Sequence, residues 1–269
     1  MRLHARVLAV LLAVGILTNV NGMTMEERVF RQAPYIDAAK AISRGDVTRL
    51  KQLIQQGIDL DRESEEIDAA WGRDTMTLLL WAAIPGQVSV ADVLLRAGAN
   101  PNKASRRGLT PLMLAVSAKE SDFFDLLMRY KADPNKIFGR PNESALTFVL
   151  QEKRNLGDRR FVRAEALIRY GADVNLDLDR GETAAIFFSR LQGWREVYWL
   201  LEHGASHEAR DSVKATLMCY LRNSYRAKAL ATASESFVYR DKVRDWLLSH
   251  GVAPSRVDPA LHPNPKCDD

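Results

Sequence analysis

Apolar residues recur along this chain at helical spacing, in pairs of short helices separated by two kinds of break. Val47, Leu50, Leu53 and Ile54 stripe one predicted helix, just after Gly45-Asp46 ends an earlier one carrying Ala38-Ala39-Lys40-Ala41-Ile42. The stretch from Leu94 to Ala115 shows the other junction. Leu94-Leu95 close a helix, and Gly98 suits the left-handed turn that stops it. Asn100-Pro101-Asn102 lead into a tight loop, and Gly108 fits a positive backbone angle within it. Thr110 is placed to cap the next helix, with Pro111 at its first position, where the missing N–H costs nothing.

This junction repeats. The helix-stop positions are Gly57, Gly98, Lys131, Gly171, Gly204 and Gly251. Five of them lead into related tetrads: Ile58-Asp59-Leu60-Asp61, Ala99-Asn100-Pro101-Asn102, Ala132-Asp133-Pro134-Asn135, Ala172-Asp173-Val174-Asn175 and Ala205-Ser206-His207-Glu208. The helix-start positions are Thr77, Thr110, Ser144, Thr183 and Thr216, spaced by 33, 34, 39 and 33 residues. The pattern resembles the ankyrin repeat, whose period is roughly 33 residues. The resemblance implies an all-α ankyrin-repeat solenoid of about six helix-turn-helix units with finger loops. Residues 23–253 would hold the repeats, and the Pro-rich tail 254–269 would be extended or disordered. A first unit over residues 34–61 lacks a finger and serves as the N-terminal cap. Trp81, Leu114, Phe148, Phe187 and Tyr220 each lie four residues after a helix start. In ankyrin repeats this place faces the core, so the row is expected to fill the space between stacked repeats.

The N-terminus changes the picture of charge and compartment. Arg2, His4 and Arg6 precede an apolar run from Val7 to Leu17, followed by Val20-Asn21-Gly22. This reads as a secretory signal peptide over residues 1–22, cut after Gly22. The run is short for a membrane span, which makes an uncleaved anchor the lesser alternative. The segment contains Arg2 and Arg6 and no acid, so its removal lowers the formal net charge from +4 to +2. The basic character is then modest, and nucleic acid is not an expected partner. No membrane span is expected after cleavage. Periplasmic localisation follows in a Gram-negative cell, with secretion as the alternative. Two cysteines remain, Cys219 and Cys267. They either pair and tie the tail to the last repeat, or stay as a buried thiol and a free tail thiol.

Three stretches depart from the regular period. The first, near residues 62–73, lengthens the first finger and carries Glu63, Glu65, Glu66 and Asp68 ahead of Trp71. The second, near 152–160, is expected to be a loop between two helices and carries Lys153, Arg154, Arg159 and Arg160. The third, near 224–237, contains Tyr225, Arg226 and the small-residue run from Ala229 to Ser236. Insertions in repeat proteins often lie on a binding face, though neutral drift explains them as well.

No catalytic motif is present: no His-Glu-x-x-His, no Gly-rich phosphate loop and no Gly-x-Ser-x-Gly elbow. His203 and His250 precede helix-stopping glycines, where a cation complements the helix end. No metal set is credible beside them, and no cofactor and no enzymatic activity are expected. The resemblance implies protein binding through the finger tips and the concave surface of the first helices. Carried over by position, the binding candidates of the first finger are Trp71, Arg73, Asp74 and Met76, and of the second Arg106, Arg107 and Leu109. Phe138, Arg140 and Glu143 follow in the third finger, and Asp179, Arg180 and Glu182 in the fourth. On the first-helix surface Ile84, Ser117, Gln151, Glu152 and Arg190 occupy matching places, expected to be exposed. Each of the four fingers carries an Arg, a residue suited to bidentate capture of carboxylates or phosphates. The basic row and the acidic first finger together imply a partner protein with patches of both signs; the alternative is that the charges serve solubility, with some arginines paired to neighbouring acids. A specific expectation is an immunity protein that occludes a toxic effector hydrolase in the periplasm. The alternatives are an accessory protein for a periplasmic enzyme such as catalase, and a structural envelope adaptor.

Overall fold

The computed structural model describes residues 23–69, 72–118, 120–139, 143–226 and 235–261. The expected signal peptide, Trp71, Arg140, Cys267 and most of the third insertion lie outside the described residues. The chain divides into two compact units, residues 1–172 and 173–269.

The first unit opens with α1 (Met25–Val29), whose start carries a reciprocal capping box between Thr24 and Glu27. Helices α2 (Ala33–Arg44) and α3 (Val47–Gln55) form the first pair. A two-stranded antiparallel hairpin follows, β1 (Ile67–Ala69) with β2 (Gly72–Asp74), in the register Ile67 with Asp74. Then come α4 (Leu78–Ala83), α5 (Val88–Arg96), α6 (Pro111–Ser117), α7 (Asp122–Arg129), α8 (Ala145–Gln151), α9 (Lys153–Leu156) and α10 (Arg159–Arg169). The first helices α2, α4, α6 and α8 pack in sequence, as do the second helices α3, α5 and α7. The second unit contains α11 (Ala184–Arg190), α12 (Trp194–Glu202), α13 (Leu217–Arg226), α14 (Glu235–Ser249) and α15 (Pro254–Val257). There α11 packs on α12 and α13, and α12 on α14.

The helix starts behave as their sequence predicts in four of five cases. The Thr77, Thr110 and Thr216 hydroxyls accept the N–H of Leu80, Met113 and Cys219, and Ser144 accepts that of Thr147. Thr183 is the exception: it sits at the N-cap position of α11 with its buried Oγ1 lacking a hydrogen-bond partner.

The recurring tetrads explain themselves once the backbone is traced. Asp59, Asn100, Asp133 and Asp173 each accept the N–H two residues ahead, closing a local turn. The second polar residue reaches the next repeat instead. Asp61 accepts the N–H of Asn100, and Asn102 that of Asp133. The Asn135 amide donates to the Gly171 carbonyl. In the second unit Asn175 accepts from Ser206 N–H and donates to the Gly204 carbonyl. One polar position thus shapes the turn and the other joins neighbours.

The core lies between the helix layers. Trp81, Leu114, Phe148 and Phe187 are buried, while Tyr220 is half-buried with its hydroxyl donating to Asp211 at 2.7 Å. Trp81 donates its indole N–H to Ser43 Oγ at 3.0 Å and meets the Phe30 ring edge-on. Leu50 and Leu53, fully buried on α3, contribute about 1.5–3 kcal/mol each by leaving water.

Three expectations need correction. The described chain is not wholly helical, because the lengthened first finger pairs with itself as β1–β2. Isolated bridges at Phe138–Glu143 and Asp179–Glu182 do the same in later fingers. The tail is ordered at its start: Pro254 opens α15, Val257 is buried, and Arg256 forms a bidentate pair with Glu208 at 2.7 and 3.0 Å. The second insertion forms α9 rather than a loop, and Arg160 at its end is buried, its guanidinium 4.4 Å over the Phe161 ring.

Candidate finger surface

The first two fingers are locked together from beneath. Asp74, fully buried at the end of β2, accepts hydrogen bonds from Thr75 N–H, Ser105 Oγ–H and Arg107 N–H at 2.9, 2.9 and 3.0 Å. Thr75 Oγ1 accepts the Arg106 N–H at 2.9 Å and donates to Glu63 at 2.7 Å. Glu63 also pairs with Lys103 at 2.8 Å. These bonds hold the Glu63 carboxyl below its usual range, the Lys103 bond contributing most.

Above this network stand the arginines. Arg73 and Arg106 leave 73% and 63% of their side chains exposed, and both pair with Glu66, which is only 28% exposed. The Arg73 contact is 3.0 Å. Arg107 is exposed beside them, and Arg180 and Asp179 are exposed at a finger tip of the second unit. Arg180 adopts a left-handed backbone with φ 48°.

Five of the expected contact residues are turned inward. Asp74, Met76, Leu109, Phe138 and Glu143 are all buried. The reason is common to them: within the first unit the first finger lies against the second through Asp74 and Thr75, and the second against the third where Gly108 approaches Ile137, so these residues face protein rather than solvent. Met76 and Leu109 immediately precede the N-caps Thr77 and Thr110 and enter the core with them. Glu143 accepts from the Gln151 amide at 3.1 Å, and its counterpart Glu182 takes Arg190 through Nε and Nη2 at 3.1 and 2.6 Å. Finger base and first helix therefore satisfy each other, and these four residues act as two internal pairs.

The first-helix surface is also more closed than expected. Ser117 is buried and donates to the Leu114 carbonyl, and Glu152 is buried with the Asn155 amide donating to it at 2.8 Å. Burial pushes the Glu152 carboxyl up to about 7. Ile84 is half-exposed and Arg190 exposed. Arg163, not distinguished by any sequence signal beyond its charge, closes the end of α6 by donating to the Ala115, Val116 and Ala118 carbonyls.

His203 and His250 serve helix ends. His203 stacks on Trp199 at 3.8 Å and His250 on Trp246 at 3.7 Å, each with Nδ1 2.7 Å from that tryptophan's carbonyl oxygen. Among the described residues no group of three or more His, Cys, Asp or Glu is arranged to hold a metal ion. Nor is any described helix long and apolar enough to cross a membrane.

Comparison with known proteins agrees with this architecture. Residues 37–137 match the family model for ankyrin repeats, in three copies. A putative ankyrin repeat-containing protein of Treponema pallidum is 37% identical over 94 residues, covering 35% of this chain and 29% of the relative. The 26S proteasome non-ATPase regulatory subunit 10 of Dictyostelium discoideum is 35% identical over 36% of this chain and 39% of its own. The chain thus spans less than half the length of these relatives. The ankyrin repeat domain of Bcl-3 superposes with a TM-score of 0.58 at 22% identity, over 84% of this chain and 89% of that one. The human ASB11 ankyrin repeat domain follows at 0.51 and 19%, over 78% and 83%. The fold is that of an ankyrin-repeat domain, and such repeats mediate protein–protein interaction.

Proposed function

We propose that this ankyrin-repeat chain is an exported protein-binding module that neutralises a toxic effector in the periplasm, its finger face covering the effector's active site. The observation that carries the reading is the group of exposed arginines on the first two fingers, Arg73, Arg106 and Arg107, the last two with their backbone N–H groups held by Thr75 and the buried Asp74. Arginine is enriched at interface anchors and suits a partner with acidic patches. One further feature favours the compartment: the N-terminus carries a basic start and a short apolar run.

The test is capture of partners on the C-terminally tagged full chain from a periplasmic extract, with N-terminal sequencing of the chain itself. A processed chain beginning at Met23, holding one stoichiometric hydrolase that is inactive in complex and active on release, is the expected result. A resident enzyme such as catalase, retained with full activity, would replace this reading with an accessory role. Replacing Arg73, Arg106, Arg107 and Arg140 by Glu is expected to abolish binding while the helical spectrum and melting behaviour are kept. Unchanged affinity would exclude this face as the electrostatic contact.

A further inference from the structure

We infer that Arg73 and Arg106 form a two-arginine clamp for a carboxylate of an acidic protein segment, and that Glu66 occupies the clamp as an internal substitute when no partner is bound. The inference rests on the reading that the fingers are the binding face, and not on the partner's being a toxin.

Two guanidinium groups converge on one carboxylate, Arg73 on Oε2 and Arg106 on Oε1 of Glu66. Paired guanidinium groups at this range repel each other, so an anion between them is needed to hold the arrangement. One carboxylate neutralises only one of the two charges and accepts only part of their N–H groups. The remaining donors face solvent, as the high exposure of both arginines requires. The site therefore keeps a net positive charge and open hydrogen-bonding capacity after Glu66 is counted.

The backbone beneath the clamp is fixed independently of Glu66. Arg106 is held by its N–H on Thr75 Oγ1, and Thr75 in turn by Glu63. Arg73 lies in β2, one residue before the buried Asp74. The backbone that carries both arginines is thus held whether or not Glu66 is seated, so an incoming carboxylate can take the place of Glu66 between the two guanidinium groups. Glu66 lies just before β1, and its carboxylate reaches the arginines from the chain's own finger, so exchange requires only a side-chain rotation. The occupied clamp lowers apparent affinity by the fraction of molecules in which Glu66 is seated.

The experiment titrates the purified chain with a hexaglutamate peptide by calorimetry, comparing wild type, Glu66→Gln and Glu66→Gln/Arg106→Gln, each checked for an unchanged helical spectrum. Inorganic phosphate is titrated in parallel. Glu66→Gln is expected to bind the peptide about tenfold more tightly than wild type, and the double variant is expected to lose that gain. Equal or weaker binding by Glu66→Gln, or no binding by any variant, would overturn the clamp. Phosphate binding as tight as the peptide's would overturn its assignment to an acidic protein segment. If Glu66→Gln does not fold, wild type and Arg106→Gln are compared by the shifts of Arg73 guanidinium resonances on peptide addition. An absence of peptide-dependent shift in wild type overturns the proposal. A peptide-binding clamp in a chain that captures no effector would separate this inference from the immunity role.

Discussion

The Asp74 carboxylate accepts a hydrogen bond from the Ser105 hydroxyl at 2.9 Å, joining two successive fingers with both side chains out of solvent. Ser105 Oγ also accepts the Leu109 N–H at 3.1 Å, so one bond ties the hairpin to the turn that precedes Thr110. Asp74→Ala leaves the Ser105 hydroxyl and the Arg107 N–H without this acceptor. Hydrogen bonds to a charged group are worth about 1.5–3 kcal/mol each, and an abandoned buried donor costs a similar amount. A loss of about 3 kcal/mol is expected in urea unfolding. A loss under about 0.5 kcal/mol would show that solvent replaces the carboxylate.

Glu152 makes stability depend on pH in a direction opposite to that of an ion-paired carboxylate. Its folded pKa of about 7 stands above the ordinary value of 4.5 because burial disfavours the charged form. Between those values the folded chain binds the extra proton, so stability is highest below about pH 4.5 for this group and falls as pH rises through about 7. Glu152→Gln is expected to raise stability at pH 8 by about 1–3 kcal/mol relative to wild type, with the gain fading at about pH 5. Urea midpoints of both proteins at the two pH values measure this. A gain that is the same at both would assign the effect to packing.

Leu114 fills the place between α6 and its neighbours and is buried. Leu114→Ala is expected to cost about 2–5 kcal/mol, the range for deleting a buried leucine side chain with partial collapse of the cavity. A change below about 0.5 kcal/mol in chemical unfolding would mean that the site closes without loss.

Two glycines of the second unit share a left-handed backbone and differ in surroundings. A Cβ on Gly181, at φ +87°, would lie 2.0 Å from the Arg210 carbonyl oxygen, whereas one on Gly204, at φ +90°, meets nothing within 4 Å. Gly204→Ala is expected to cost only the left-handed penalty of about 1–2 kcal/mol. Gly181→Ala must also push neighbouring fingers apart and is expected to cost at least about twice as much. Equal melting temperatures for the two variants would refute the close approach of the fingers.

Much of the scaffold was legible because it is built from local rules. Thr77, Thr110 and Ser144 announce their helices by capping chemistry that operates within three residues. The fate of the finger residues was not legible. Met76 and Arg73 lie three residues apart in one finger, yet one is buried and the other mostly exposed. The glutamates at 143 and 182 read as exposed charge, but their partners, Gln151 and Arg190, lie eight residues on and meet them only when the finger folds over the first helix.

The sequence by itself determined the repeat: where helices start and stop, how often, and which positions shape the turns. These depend on backbone preferences and capping within a few residues, which neighbours in the chain decide. Tertiary structure alone decided what the charged residues do. Glu66 is one acid among four in an acidic stretch until the hairpin and the following finger set it between Arg73 and Arg106. The pairing of charges follows distance in space, and residues 66 and 106 become neighbours only through the stacking of one finger on the next.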